Sequence, residues 1–218
     1  MIPKHQVIAS LRESGLVAVI RTENPTDLVA VCRALSKGGV KFVEITMTVP
    51  DALEIVHGAV QQLGGTGVML GVGTVLDGET ARAAILSGAK FVVSPGFNVE
   101  VVRICNTYGV VVMPGALTPT EVINAWKSGA DVIKIFPGDI GGPEYIKALK
   151  EPLPQVELLP TKGVDFETAP AFIKAGAIAV GTGSALVSKA LINNKDYAHI
   201  TENAVRLTKI IRDARGGK

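Results

Sequence analysis

Cysteine is scarce in this chain of 218 residues. Cys32 and Cys105 are far apart and outside any CxxC spacing, which excludes a disulfide framework and a zinc knuckle and fits a reducing cytoplasm. Aromatic residues are few as well, one Trp, three Tyr and six Phe, and no block of Lys or Arg stands out against a formal charge of +2. A groove for nucleic acid is therefore not expected, and the partners are expected to be small molecules. Charged residues make up 19% of the chain and hydrophobic ones 47%, a balance that excludes disorder and points to elements hidden on both faces. Long apolar runs are missing. The longest stretch without formal charge, 55–76, is broken by Gln61, Gln62 and six glycines, so no membrane span is expected. The N-terminus alternates charged and apolar residues at helical spacing and carries no apolar export segment.

What the chain does have is regular alternation. Short β-rich apolar runs occur at 17–21, 41–47, 68–73, 91–94, 110–113, 132–136, 156–160 and 178–181. Between them, segments 27–36, 50–62, 78–86, 99–106, 119–127, 144–149 and 167–174 place apolar residues at i, i+3, i+4 spacing, as amphipathic helices do. Asn24-Pro25, Asp77, Thr118-Pro119 and Asp165 stand where N-caps or first-turn prolines belong. Gly39, Gly88, Gly129 and Gly176 each fall just past a helix and just before a strand, as left-handed C-caps do. Eight βα repeats predict one domain over 1–218: an α/β fold, a (β/α)8 TIM barrel with an N-terminal helix. An open doubly wound sheet is the rival architecture. In both, ligands bind at the C-terminal ends of the strands.

Three of those strands carry charge. Arg21 ends the first run, Glu44 lies in VEITM and Lys134 in VIKIF, and strand alternation puts all three on the face of their apolar inward neighbours. Desolvation favours the neutral form of a lysine there, and a neutral amine adds to a ketone to form an iminium, the electron sink of aldol chemistry. Glu44 is placed to move the protons, directly or through one water. The residues alone leave a second reading open, a structural buried ion pair of Lys134 and Glu44, with Arg21 also available as counter-ion to Glu44. After the seventh and eighth runs, the turns Pro160-Thr161-Lys162-Gly163 and Gly181-Thr182-Gly183-Ser184 stand where barrels hold phosphate on backbone N–H groups, with a short extra helix expected near Ser184. Ordinary turns are the alternative. Residues 71–78, GVGTVLDG, lack the third glycine of a dinucleotide loop, and His5, His57 and His199 have no metal-ligand or triad spacing.

Taken together, VAVIR, GGVKFVEITMTVPDA, GVGTV, FVVSPGFN, VMPGALTPTE, IKIFPG, LLPTKGV and AVGTGSALV resemble the 2-keto-3-deoxy-6-phosphogluconate (KDPG) and 2-keto-4-hydroxyglutarate (KHG) aldolases over nearly the whole chain. The resemblance implies a homotrimer and class I chemistry without metal or cofactor, acting on a 2-keto acid and releasing pyruvate. By position it implies Lys134 as the Schiff-base lysine and Glu44 as the general acid/base. It further implies Thr74 as a pyruvate contact, Pro95 and Phe136 as pocket walls, and Gly163, Gly183 and Ser184 as the phosphate cradle with Thr161 beside it.

Two departures from the family pattern stand out. Thr48 occupies the place where many members carry an arginine for the keto-acid carboxylate, so that contact is expected from Arg21. Lys162 stands where the family has glycine, and either adds charge to the cradle or obstructs it. A phosphosugar isomerase or epimerase using Glu44 as base, and a non-catalytic binding barrel, are the rival functions.

Overall fold

The computed structural model describes residues 2–22 and 27–216; the Asn24-Pro25 signal lies outside the described residues. The chain runs α1 (Lys4–Ser14), β1 (Leu16–Ile20), α2 (Leu28–Lys37), β2 (Phe42–Thr46), α3 (Ala52–Gln62), β3 (Met69–Gly73), α4 (Gly78–Leu86), β4 (Phe91–Val93) and α5 (Val99–Thr107). It continues with β5 (Val111–Met113), β6 (Gly115–Ala116), α6 (Pro119–Lys127), β7 (Ile133–Ile135), α7 (Gly142–Lys150), β8 (Leu158–Pro160), α8 (Ala169–Lys174), β9 (Val180–Thr182), α9 (Lys189–Asn193) and α10 (Tyr197–Ala214). A parallel arc in the order β5-β4-β3-β2-β1-β9 and a second, β6-β7-β8, curl into the expected α/β barrel with its N-terminal helix. β5 and β6 are one strand position broken at Pro114, whose carbonyl still accepts from Lys134 N at 2.9 Å. At the other seam a bridge between Thr161 and Gly181 joins β8 to β9.

Local chemistry explains the alternation. After α2, α4, α6 and α8, glycines 39, 88, 129 and 176 take φ values of 90°, 102°, 94° and 102°, where a side chain would be strained. Each lets the next residue's N–H reach back to the helix: Val40 to Leu35, Ala89 to Ala84, Ala130 to Ala125 and Ala177 to Phe172, all at 3.1–3.2 Å. The chain then enters the next strand. Asp77 caps α4 through Thr80 N at 2.6 Å, and Thr118 with Glu121 forms a capping box on α6. Asp165 caps one turn too early for α8. Its Oδ1 accepts from Glu167 N and Thr168 N at 2.9 Å each, and the helix starts at Ala169.

Alternate residues of each strand face opposite layers. Ala18, Val43, Val72, Val92 and Ile133 pack outward against the helices, while Val17, Phe42, Phe91, Val111 and Val132 fill the barrel with Val7 and Leu11 of α1 closing its floor. After Met69, β3 turns two glycines, Gly71 and Gly73, inward next to these bulky neighbours. A Cβ on Gly71 would lie 2.3 Å from the Phe91 ring, which is why that position is empty of side chain. The long α10 lies outside the helices expected from the sequence. Its buried Ile200, Ala204, Leu207 and Ile211 form the ordinary 3.6-residue stripe, and it closes against α2, where Gly38 leaves room for Ala204. Among the described residues no helix is long and apolar enough to cross a membrane.

Candidate active site

Two charged side chains are buried among the described residues, Glu44 at 2% and Lys134 at 7% exposure, and both stand on inward-facing positions of the barrel. Glu44 pairs in register with Val19 of β1 and Gly71 of β3, and its side chain runs along the barrel toward the strand ends, lying over Gly73. Lys134 pairs with Gly115 of β6 and Leu159 of β8, and its Nζ lies 5.2 Å from the centre of the Phe136 ring. Burial holds the Glu44 carboxyl above its ordinary range, and the charges of Lys134 and then Arg21 pull it back. Both other charged residues of the strand ends thus act on Glu44.

Beyond Phe136 the barrel opens into a cavity of about 590 Å³. Arg21, Phe136, Thr161, Lys162, Gly163, Gly183 and Ser184 all contribute to its wall. Its charged lining residues are cationic: Arg21, Lys162 and Lys189. Thr48, Thr74 and Pro95 stand apart from this wall, at the ends of the second, third and fourth barrel strands. The exposed Thr48 shares a 2.7 Å hydrogen bond with the hydroxyl of buried Thr46. Thr74 takes φ 61°, a left-handed conformation directly after Gly73. The Pro95 carbonyl presses on Gly115, where a side chain would not fit. Glu44 and Lys134 do not line the cavity themselves; Phe136, whose ring faces Lys134 Nζ, is the wall residue that adjoins them.

The turn after β9 differs from expectation. Residues 183–187 make a single turn in which Leu186 N and Val187 N both donate to the Gly183 carbonyl, at 3.0 and 2.8 Å. The extra helix starts at Lys189, later than the start expected near Ser184; it has five residues, is capped by Ser188, and brings Ser188 and Lys189 into the cavity lining. The turn begins on a glycine that passes close to the Val19 carbonyl, which a Cβ at Gly183 would meet at 2.7 Å. Thr182 was not among the expected contacts. Its buried hydroxyl donates to the Val164 carbonyl at 2.6 Å and ties the two cradle turns together. Gly73 was missed too, although the strand-period spacing of Gly71 and Gly73 in MLGVG was the signal for it.

Comparison with known proteins agrees with this geometry. The sequence profile of the family KDPG and KHG aldolase matches residues 7–203. A 2-dehydro-3-deoxy-phosphogluconate aldolase of Treponema pallidum is 32% identical over 206 residues, 94% of this chain and 97% of that protein. A 2-dehydro-3-deoxy-6-phosphogalactonate aldolase of Escherichia coli is 36% identical over 172 residues, 78% of this chain and 83% of its own length. In three dimensions the chain is similar to a Legionella pneumophila KDPG aldolase solved with pyruvate captured as a covalent carbinolamine, with a TM-score of 0.85, 25% identity, and coverage of 92% of this chain and 97% of that one. The barrel, the buried lysine–glutamate pair and these likenesses converge on one conclusion: the chain belongs to the KDPG and KHG aldolase family.

Proposed function

We infer that this protein is a class I aldolase that cleaves 2-keto-3-deoxy-6-phosphogluconate reversibly to pyruvate and glyceraldehyde 3-phosphate, and that it also accepts 4-hydroxy-2-oxoglutarate, giving pyruvate and glyoxylate. The observation that carries this reading is the isolation of one lysine and one glutamate, Lys134 and Glu44, as the buried charged groups of the barrel interior.

Lys134 Nζ, as the free amine, adds to the C2 carbonyl of the substrate to give a carbinolamine, which loses water to form an iminium. The C4 hydroxyl then gives its proton to the Glu44 carboxylate as the C3–C4 bond breaks, and the bonding pair flows into the iminium to leave an enamine. The aldehyde departs. The enamine takes a proton at C3, and water hydrolyses the resulting iminium to release pyruvate and restore the amine. A carboxyl held above its ordinary range by burial suits a group that must both accept and return protons near neutral pH. Since the iminium supplies the electron sink, the reaction needs no metal.

Arg21 and Thr74 hold the keto-acid carboxylate, with Thr48 at the same rim and Pro95 and Phe136 as walls. The turns at Thr161–Gly163 and Gly183–Ser184 receive the distal phosphate. The reading also includes a homotrimer, a single domain spanning the chain and a cytoplasmic setting, which the two buried free thiols fit.

Borohydride with pyruvate tests this directly. Reduction adds the three-carbon acid at Lys134, as read from a peptide mass map, and Lys134→Ala abolishes both labelling and turnover. Labelling at another lysine refutes the assignment; the absence of any adduct in an active enzyme favours an isomerase or epimerase that uses Glu44 alone as base.

A further inference from the structure

The two loops that follow β7 and β8 are pressed together at the mouth of the cavity. Gly138 N donates to the Thr161 carbonyl at 2.8 Å, and a Cβ on Gly138 would lie 2.9 Å from the Lys162 carbonyl, so the backbones run in contact. One residue on, a Cβ on Gly163 would meet the Asp139 Cβ at 2.6 Å. The missing side chain at Gly163 is therefore what lets Asp139 come up beside the cradle. Its Oδ2 reaches Lys162 Nζ at 3.4 Å, with the two side chains 42% and 58% exposed. Lys162 lines the cavity and Asp139 does not.

The chain thus supplies its own anion to the cation at the distal rim. We propose that Asp139 and Lys162 form a selector for the substrate's terminal group: Lys162 engages a terminal phosphate, and Asp139 is the internal carboxylate that the phosphate must displace. The proposal rests on the aldolase reading and deepens it by naming Asp139, outside the cavity lining, as a residue that sets the preference between phosphorylated and plain substrates. A half-exposed ion pair between a carboxylate and an ammonium is weak, and a phosphate dianion offers Lys162 more charge and more acceptor oxygens than Asp139 does. Asp139 still repels that dianion from beside the cradle. It sets how strongly the site rewards phosphorylation, while Lys162 provides the reward. The lysine side chain, more than half exposed, lies at the cavity wall with its Nζ held toward Asp139.

The test compares kcat/KM for 2-keto-3-deoxy-6-phosphogluconate with that for 2-keto-3-deoxygluconate in the wild type, Asp139→Asn, Lys162→Gly and the double variant. Asp139→Asn raises the ratio of phosphorylated to plain substrate by roughly threefold, and Lys162→Gly lowers it by roughly tenfold. The wild-type ratio falls as salt is added. Position 162 has φ 75°, a conformation glycine adopts without strain, so Lys162→Gly is expected to fold. A ratio unmoved by Asp139→Asn, or one that rises in Lys162→Gly, overturns the selector. Borohydride trapping of pyruvate at Lys134 in the same preparations separates the two claims: trapping with an unmoved ratio removes the selector alone, and no trapping in the wild type removes the aldolase reading and the selector with it.

Discussion

Gly73→Ala is the smallest change that probes how Glu44 is held. A methyl group there would lie 1.8 Å from Glu44 Oε1, 2.4 Å from Cδ and 2.7 Å from Cγ. Non-bonded heavy atoms settle at roughly 3.5 Å, so the carboxyl must retreat by more than ~1 Å, and the strand on which it stands is buried at every position and offers little slack. A displacement of about 1 Å in catalytic geometry costs on the order of a hundredfold in rate, or about 3 kcal/mol on the barrier. Overpacking adds ~1–3 kcal/mol of lost stability, read separately as a lower Tm. The assay is pyruvate release under saturating substrate across a pH series, with borohydride trapping as a second readout of iminium formation. The expected result is a kcat reduced by roughly a hundredfold with a shifted pH profile in a folded protein. Shortening the acid should compensate: Glu44→Asp is expected to cost less in the Gly73→Ala background than in the wild type, because the shorter side chain returns the volume that the methyl takes. A folded Gly73→Ala enzyme with wild-type kcat and pH profile, or strict additivity of the two substitutions, would refute the reasoning.

The burial of Glu44 also predicts a pH dependence of stability. Its carboxyl holds a proton more tightly in the fold than in the unfolded chain, so its contribution is complete below the ordinary carboxylate range and is lost as pH rises through the raised value. Glu44→Gln removes a group that must ionise in the interior; its Tm should gain on the wild type on the alkaline side of that value, and equal gains at all pH values would disprove the linkage. Both thiols are pushed up to about 12, Cys32 and Cys105 alike by burial first, so native protein near pH 8 should leave an aromatic disulfide reagent unreacted until guanidinium exposes two thiols per chain. Rapid reaction of either cysteine in the native state would contradict that burial.

The barrel was legible because a strand hidden on both faces leaves a mark that survives without any partner, a short apolar run closed by turn residues. The glycines after α2, α4, α6 and α8 sharpened it, since only a residue free of Cβ takes φ near 100° and releases the chain into the next strand. The fifth strand position was read only as far as Met113. Pro114 removes a backbone donor, and the two residues beyond it, Gly115 and Ala116, carry no apolar run, yet they are the ones that pair with Lys134 and Ile135. What holds that segment in the barrel is a long-range hydrogen-bond ladder, which no local window contains. The turn at Ser184 was misread as a helix for a related reason. Gly183 passes close to Val19 of β1, a neighbour far away in sequence that no local window contains.

The site divides along the same line. Lys134 and Glu44 announced themselves because a charge inside an apolar strand violates the local pattern, and such violations mark function. The glycines around them speak less plainly: Gly71 and Gly73 break the strand pattern and mark a close approach without saying by what, Gly163 reads as an ordinary turn residue, and the structure names what enters the space at Gly73, Gly71 and Gly163, the Glu44 carboxyl, the Phe91 ring and the Asp139 Cβ respectively. Asp139 was invisible for that reason, since in sequence it is one more polar residue in a loop after a strand. Acid and lysine can thus be read from composition and parity, whereas the volumes that aim them belong to the closed barrel, where β3 serves both β2 and β4 and the loop after β7 leans on the loop after β8. A substitution at one of these glycines should therefore perturb a residue on the neighbouring strand or loop more than its own segment, which is the pattern the Gly73→Ala and Glu44→Asp cycle is built to detect.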